Sequence, residues 1–190
     1  MEATGGRVDV GRVIGQAFDT YREYAGPLLG GAVIVIGVAA IINALLAATG
    51  SLFLVLIGSV IAFVAQFLFT GYVVKLVQDV RDGRMDASMG ELFSAAAPYI
   101  GTLILNGILA GIAIAIGFIL LIVPGLILIT IWAVIAPSIV VENRGVIEAF
   151  GRSRELVRGE GWTVFGVIVI AFLIVFGIGL VAGIIGAAIG

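Results

Sequence analysis

An all-α, polytopic transmembrane bundle is what this sequence predicts, and three observations carry that reading. Apolar residues make up 62% of the 190-residue chain and charged residues only 12%, against roughly half and a quarter in soluble domains. The mean hydropathy is +1.28, more apolar surface than a core of this size can hide. Three uncharged runs, Tyr24–Val74, Leu92–Val141 and Gly161–Gly190, each exceed the roughly 18 apolar residues that read as a membrane helix.

The chain opens with Val8–Ala25, where Val10, Ile14, Ala17, Tyr21 and Tyr24 recur at helical spacing and Asp9, Arg12, Gln16, Asp19 and Glu23 fall opposite. This pattern predicts an amphipathic helix on the membrane surface. Asp9 is placed to cap it, with Val8 and Val13 as a hydrophobic staple. The charges in this segment interrupt any apolar core of a signal peptide, so the first long run is expected to act as an uncleaved anchor.

A helix needs about 20 residues to cross a hydrocarbon core about 30 Å thick. The first two uncharged runs are each about twice that length, so each is expected to hold two spans. Thr49-Gly50-Ser51 divides the first run and Pro124-Gly125 divides the second. Proline disfavours helix in the residue before it, and glycine supplies a permissive turn backbone. The predicted spans are Pro27–Ala48, Leu52–Val74, Tyr99–Val123, Leu126–Val141 and Trp162–Gly183. Pro137 lies inside the fourth and is expected to bend it, with Ser138 or neighbouring helices satisfying the freed carbonyl.

Charge decides between a hairpin and a kink at Pro124-Gly125. All ten Lys and Arg residues, and all twelve acids, fall before the first span, between the second and third, or after the fourth. With a hairpin at Pro124, five spans place every basic residue on one side, as the positive-inside rule requires. With a kink, Arg144, Arg152, Arg154 and Arg158 would lie on the other side. The expected location is therefore a bacterial or archaeal cytoplasmic membrane, multi-pass, with a cytoplasmic N-terminus.

Two further surface helices are predicted on the cytoplasmic side. Ser88-Met89-Gly90-Glu91 has capping-box spacing and opens a short helix before the third span. Within the amphipathic segment 142–160, Val146, Ile147, Phe150 and Val157 are apolar, and Glu148 and Arg152 stand at i and i+4.

Chemistry is sparse. Cysteine and histidine are both absent, which removes disulfides, thiolate metal sites and the commonest general base. The polar residues inside the spans, among them Asn43, Gln66, Thr70 and Asn106, are not ionisable, which disfavours a proton relay or ion-coupled pump. Hydrogen bonding between helices is their expected use. Asp79-x-x-Asp82-Gly83 matches the start of the CDP-alcohol phosphotransferase motif but lacks its continuation, and it reads as a solvated turn. Arg144, Arg152, Arg154 and Arg158 are candidates for headgroup contact, set against pairing with Glu148, Glu155 and Glu160. Glycines spaced four apart, such as Gly179/Gly183, suit close helix packing. Trp162 suits an interfacial aromatic belt.

The stretch LLIVPGLILITIWAVIAPSIVVEN, followed by VIEAFGRSRELVRGEGWTVFG, resembles the membrane domain found with bacterial glycerophosphoryl diester phosphodiesterases. The matching positions are Pro124-Gly125, Ala136-Pro137, Glu142, Glu148-Ala149, Arg152-Ser153, Leu156, Arg158-Gly159 and Trp162. The lead-in VDVGRVIGQAFDTYREYAG and the central GYVVKLVQDVRDGRMDASMGELF fit as well. The family usually has six spans, where five are read here. Its catalytic domain is a separate soluble barrel using His and acidic residues. The resemblance thus implies a free-standing membrane module without that activity. The leading expectation is a non-enzymatic scaffold or a role in membrane-lipid and envelope homeostasis. A small passive transporter or channel subunit is the alternative, and a lipid-headgroup enzyme using Asp79 and Asp82 comes third. Membrane lipids, a second copy of the chain or another membrane protein are the expected partners. No cofactor, metal or nucleic acid is expected.

Overall fold

Residues 9–189 are described by a computed structural model, and every regular element in them is helical. The helices are α1 (Val10–Glu23), α2 (Ala25–Ala32), α3 (Val38–Ala47), α4 (Leu52–Asp79) and α5 (Met89–Ala96). There follow α6 (Ile100–Leu120), α7 (Ile122–Ile131), α8 (Ile135–Val140), α9 (Val146–Val157) and α10 (Gly161–Ile189). Five stretches are long and apolar enough to cross a membrane: Ala25–Ala47, Leu52–Asp79, Met89–Leu120, Ile122–Val140 and Gly161–Ile185. This is the build of a multi-pass membrane protein.

Asp9 caps α1, its carboxylate accepting the Gly11 N–H at 3.3 Å. Val8, the other half of the expected staple, lies outside the described residues. No residue of α1 is buried, and Phe18 and Tyr21 of its apolar stripe are exposed. α2 and α3 form one span through a π-helical stretch, Val33–Gly37. It turns back at Gly50, whose φ of 72° is the left-handed conformation that glycine adopts without a Cβ penalty. Thr49 closes this turn, donating its hydroxyl to the Leu46 carbonyl at 2.6 Å and accepting the Ser51 N–H at 3.2 Å.

α4 leads to Gly83, also left-handed, and α5 folds back along its end. The capping box is present. Ser88 Oγ accepts the Glu91 N–H at 3.3 Å, and Glu91 Oε2 accepts the Ser88 N–H at 2.7 Å. Pro98 sits in a 3₁₀ turn, Ala97–Tyr99, that joins α5 to α6 within one span.

α6 and α7 form a hairpin, but its tip is not Pro124-Gly125. The reversal falls on Leu121, a single extended residue with φ −164° and ψ 150°. Pro124 sits in the first turn of α7, where its missing N–H leaves no helical bond unmade. Gly125 is a packing residue. A Cβ there would lie 2.6 Å from the Phe118 ring, and one on Gly117 would lie 3.0 Å from the Gly125 backbone nitrogen. Backbone cannot move aside as a side-chain end can. Gly117→Val is therefore expected to prise the hairpin apart and destabilise the bundle by about 1–3 kcal/mol. An SDS unfolding titration in mixed micelles reads this, with the exposed Gly111→Val as the neutral control.

The tightest packing gathers at the end of the bundle that carries the charged segments. One buried cluster joins Leu103, Ile135, Ile139, Val140 and Ala149, and a second joins Tyr72, Leu76, Val80 and Leu92. At the opposite end Leu52, Phe53, Ile119, Leu120 and Leu121 are all exposed. Lipid tails are as apolar as leucine, so burial among helices gains little in mid-membrane. The amphipathic charged segments extend beyond the apolar spans, where burying an apolar face away from water is favoured, and the core sits beneath them. α10 lies at the margin, touching α7 and α1 near its start; none of its most apolar window is buried.

Candidate functional site

The charged end is built around a broken fourth span. α7 stops at Ile131 and α8 restarts at Ile135, with a turn at Trp132–Val134. Pro137 has no N–H for the Ala133 carbonyl, and its ring crowds that carbonyl. The chain therefore leaves the helix at Trp132, five residues before the proline, instead of bending at it. Pro137, like Pro124, then occupies the first turn of the new helix. Ser138 gives its hydroxyl to the Val134 carbonyl at 2.8 Å, so it does not serve Ala133.

The polar groups opened by the break are met from α9. Ser153, fully buried, donates its hydroxyl to the Ile131 carbonyl at 2.9 Å and accepts the Val134 N–H at 3.3 Å. Asn106, 1% exposed on α6, donates its side-chain amide to the Val146 carbonyl at 2.8 Å, fixing the start of α9. Ala149 and Val157 are buried along the same face. α9 is thus packed into the bundle with one face buried, where the sequence predicted a helix lying on the surface.

Glu142 ties down the segment between α8 and α9. Arg152 Nε reaches its Oε2 at 2.6 Å and Nη2 its Oε1 at 3.0 Å, a two-pronged pair. Arg144 Nε adds a contact at 3.4 Å, and Arg152 Nη1 also reaches Glu155 at 3.4 Å. The expected Glu148–Arg152 pair does not form. Glu148 instead turns back to the Gly145 N–H at 3.5 Å. The Arg152 hydrogen bond holds the Glu142 carboxyl below its usual pKa range, and the charge of Arg144 adds to this. A carboxylate lowered by folding stabilises the fold above its unfolded pKa, and that stability is lost as pH falls through the folded value. The thermal unfolding midpoint in detergent is therefore expected to fall as pH drops below the ordinary carboxylate range in the wild type. In Glu142→Gln it should already be lower at neutral pH and show less acid dependence.

The structure divides the four arginines. Arg144 and Arg152 flank Glu142. Arg154 and Arg158 are exposed, and among the described residues neither enters an ion pair. These two line a recess of about 460 Å³ with Ile131, Glu155, Val157, Gly159 and Gly161. A second recess of about 590 Å³ runs along α7, lined by Val123, Leu126, Ile127, Thr130, Ile131, Gly159, Gly161, Trp162 and Phe165. Ile131, Gly159 and Gly161 belong to both, so the two form one groove between α7 and the start of α10. Trp162 is 88% exposed at its edge, against Phe165.

No match was found among protein-family models, curated proteins or solved structures. The kinship suggested above rests on sequence motifs alone. Those positions nonetheless gather here: Pro137, Glu142, Arg152 and Ser153 build the join between α8 and α9, while Gly159 and Trp162 border the groove.

The Asp79 region has a structural use. Asp79 Oδ2 accepts the N–H groups of Asp86 and Ala87, both at 3.1 Å, closing the turn between α4 and α5. The side chain of Asp82 lies outside the described residues. Among the described residues no group of three His, Cys, Asp or Glu side chains is placed to hold a metal ion.

Proposed function

We propose that the chain is a non-enzymatic integral membrane module of a bacterial or archaeal cytoplasmic membrane, a free-standing relative of the glycerophosphoryl diester phosphodiesterase membrane domain. Its role is that of a scaffold or of membrane-lipid and envelope homeostasis, with the N-terminus and the charged end in the cytoplasm. One observation carries the reading. The charged segments are packed into a platform, with α9 bonded to α6 and to the broken span and Glu142 held by Arg152. Such a platform suits holding a partner or a lipid at the membrane surface. Asp79, bonded to its own loop, favours this over the headgroup-enzyme reading.

A passive transporter or channel subunit is the second reading. It draws on a recess of about 340 Å³ lined by Phe67, Thr70, Asn106, Trp132 and Ala136 among others. Purified protein in liposomes separates the two. The module reading expects no solute flux above protein-free liposomes and no metal-dependent turnover of lipid substrates. Saturable flux would establish the transporter instead, and turnover lost in Asp79→Ala would establish the enzyme.

A further inference from the structure

We propose that the groove between α7 and α10 binds one anionic phospholipid, with Arg154 and Arg158 on its phosphate and an acyl chain laid along α7. The proposal rests on the lipid-facing module reading and gives it a site and a ligand class.

Three features converge on this occupant. The first is charge. Arg154 and Arg158 stand four residues apart at one rim, without an ion-pair partner among the described residues. Glu155 lines the same recess and reaches Arg152 at 3.4 Å, so two arginines face one acid that is already shared with a third arginine. The mouth thus keeps a net positive charge, and arginine's planar fork suits phosphate oxygens. The second is continuity. The rim opens through Ile131, Gly159 and Gly161 into the second recess, whose other lining is almost wholly apolar. A soluble anion would use only the mouth, whereas a phospholipid uses both parts. The third is shape. α7 has ten residues and so rises about 15 Å, a length along which much of an acyl chain can lie. Gly159 and Gly161 present no side chain beyond the backbone, and Trp162 and Phe165 close the far wall. The volumes, about 460 and 590 Å³, fall within the range of ligand pockets.

Native mass spectrometry of detergent-purified full chain, titrated with phosphatidylglycerol or phosphatidylcholine of matched chains, tests this. The wild type is expected to retain one phosphatidylglycerol in preference to phosphatidylcholine. Each basic residue near an anionic surface is worth roughly a factor of five, so Arg154→Gln with Arg158→Gln should weaken phosphatidylglycerol binding about 30-fold. Arg81→Gln, at the same end but away from the groove, should leave it unchanged. Ile127→Trp, at an exposed position on α7, should displace the lipid by filling the apolar part. Free glycerol phosphate should fail to compete. Equal retention of both lipids, wild-type affinity in the double variant, or competition by glycerol phosphate would each overturn the site. None of those results would produce solute flux in liposomes, so the module reading and the lipid site fail separately.

Discussion

Tyr72→Ala is expected to cost the fold about 3–5 kcal/mol, the range for deleting a large buried aromatic ring. Tyr72 is fully buried near the charged end of α4. Its ring stacks on Phe93 of α5 with centroids 4.2 Å apart and lies against Gly31 of α2, where a Cβ would come within 2.5 Å. Its hydroxyl donates to the Pro27 carbonyl at 2.8 Å. One side chain therefore joins the first, second and third spans, and its removal opens all three contacts. Tyr72→Phe keeps the ring and loses only the hydrogen bond, for about 1 kcal/mol. An SDS unfolding titration should show this separation. Similar midpoints for the two variants would mean that the ring does not hold the spans together.

Ser153→Ala is the second large effect. The hydroxyl serves two backbone groups at the break in span four, and each group left without a partner costs about 1–3 kcal/mol. The variant should lose about that much for each group, and trypsin should reach Arg152 and Arg154 sooner. Ser153→Thr retains the hydroxyl and should recover most of the bonding. Protection equal to wild type in Ser153→Ala would show that α9 is held by its apolar face alone.

The fold class and its five spans were legible because they follow from length and hydropathy. The gathering of charged segments was legible because lipid excludes charge wherever it falls in the chain. Capping at Asp9 and Ser88 was legible because it is local. What escaped was the use of particular residues. Proline marks both a turn and a first helical turn, and sequence does not separate these, so the tip at Leu121 was placed three residues late. Glycine beside it looked like a turn residue, whereas Gly125 is small because Phe118 and Gly117 crowd it. For Pro137 the steric conflict acts four residues upstream, which moves the break to Trp132–Val134.

At the candidate site the residues were visible and their pairing was not. Glu142 and Arg152 are ten residues apart and meet only because α9 folds back on α8. Glu148, at helical spacing from Arg152, was the nearer sequence partner and lost to this tertiary contact. Ser153 and Asn106 gave no sign of their partners, which are backbone groups on other elements. The groove was equally hidden, since Arg158 and Ile127 share no sequence pattern.

Among the described residues every charged segment lies at one end of the bundle. Because the protein contains no cysteine, single cysteines at the exposed positions Ala48, Arg81, Leu121, Gly145 and Arg158 can be probed in intact cells with a membrane-impermeant thiol reagent. Ala48 and Leu121 should label from outside, and Arg81, Gly145 and Arg158 only after the membrane is opened. Labelling of Arg81 and Gly145 from opposite faces would contradict the fold described here.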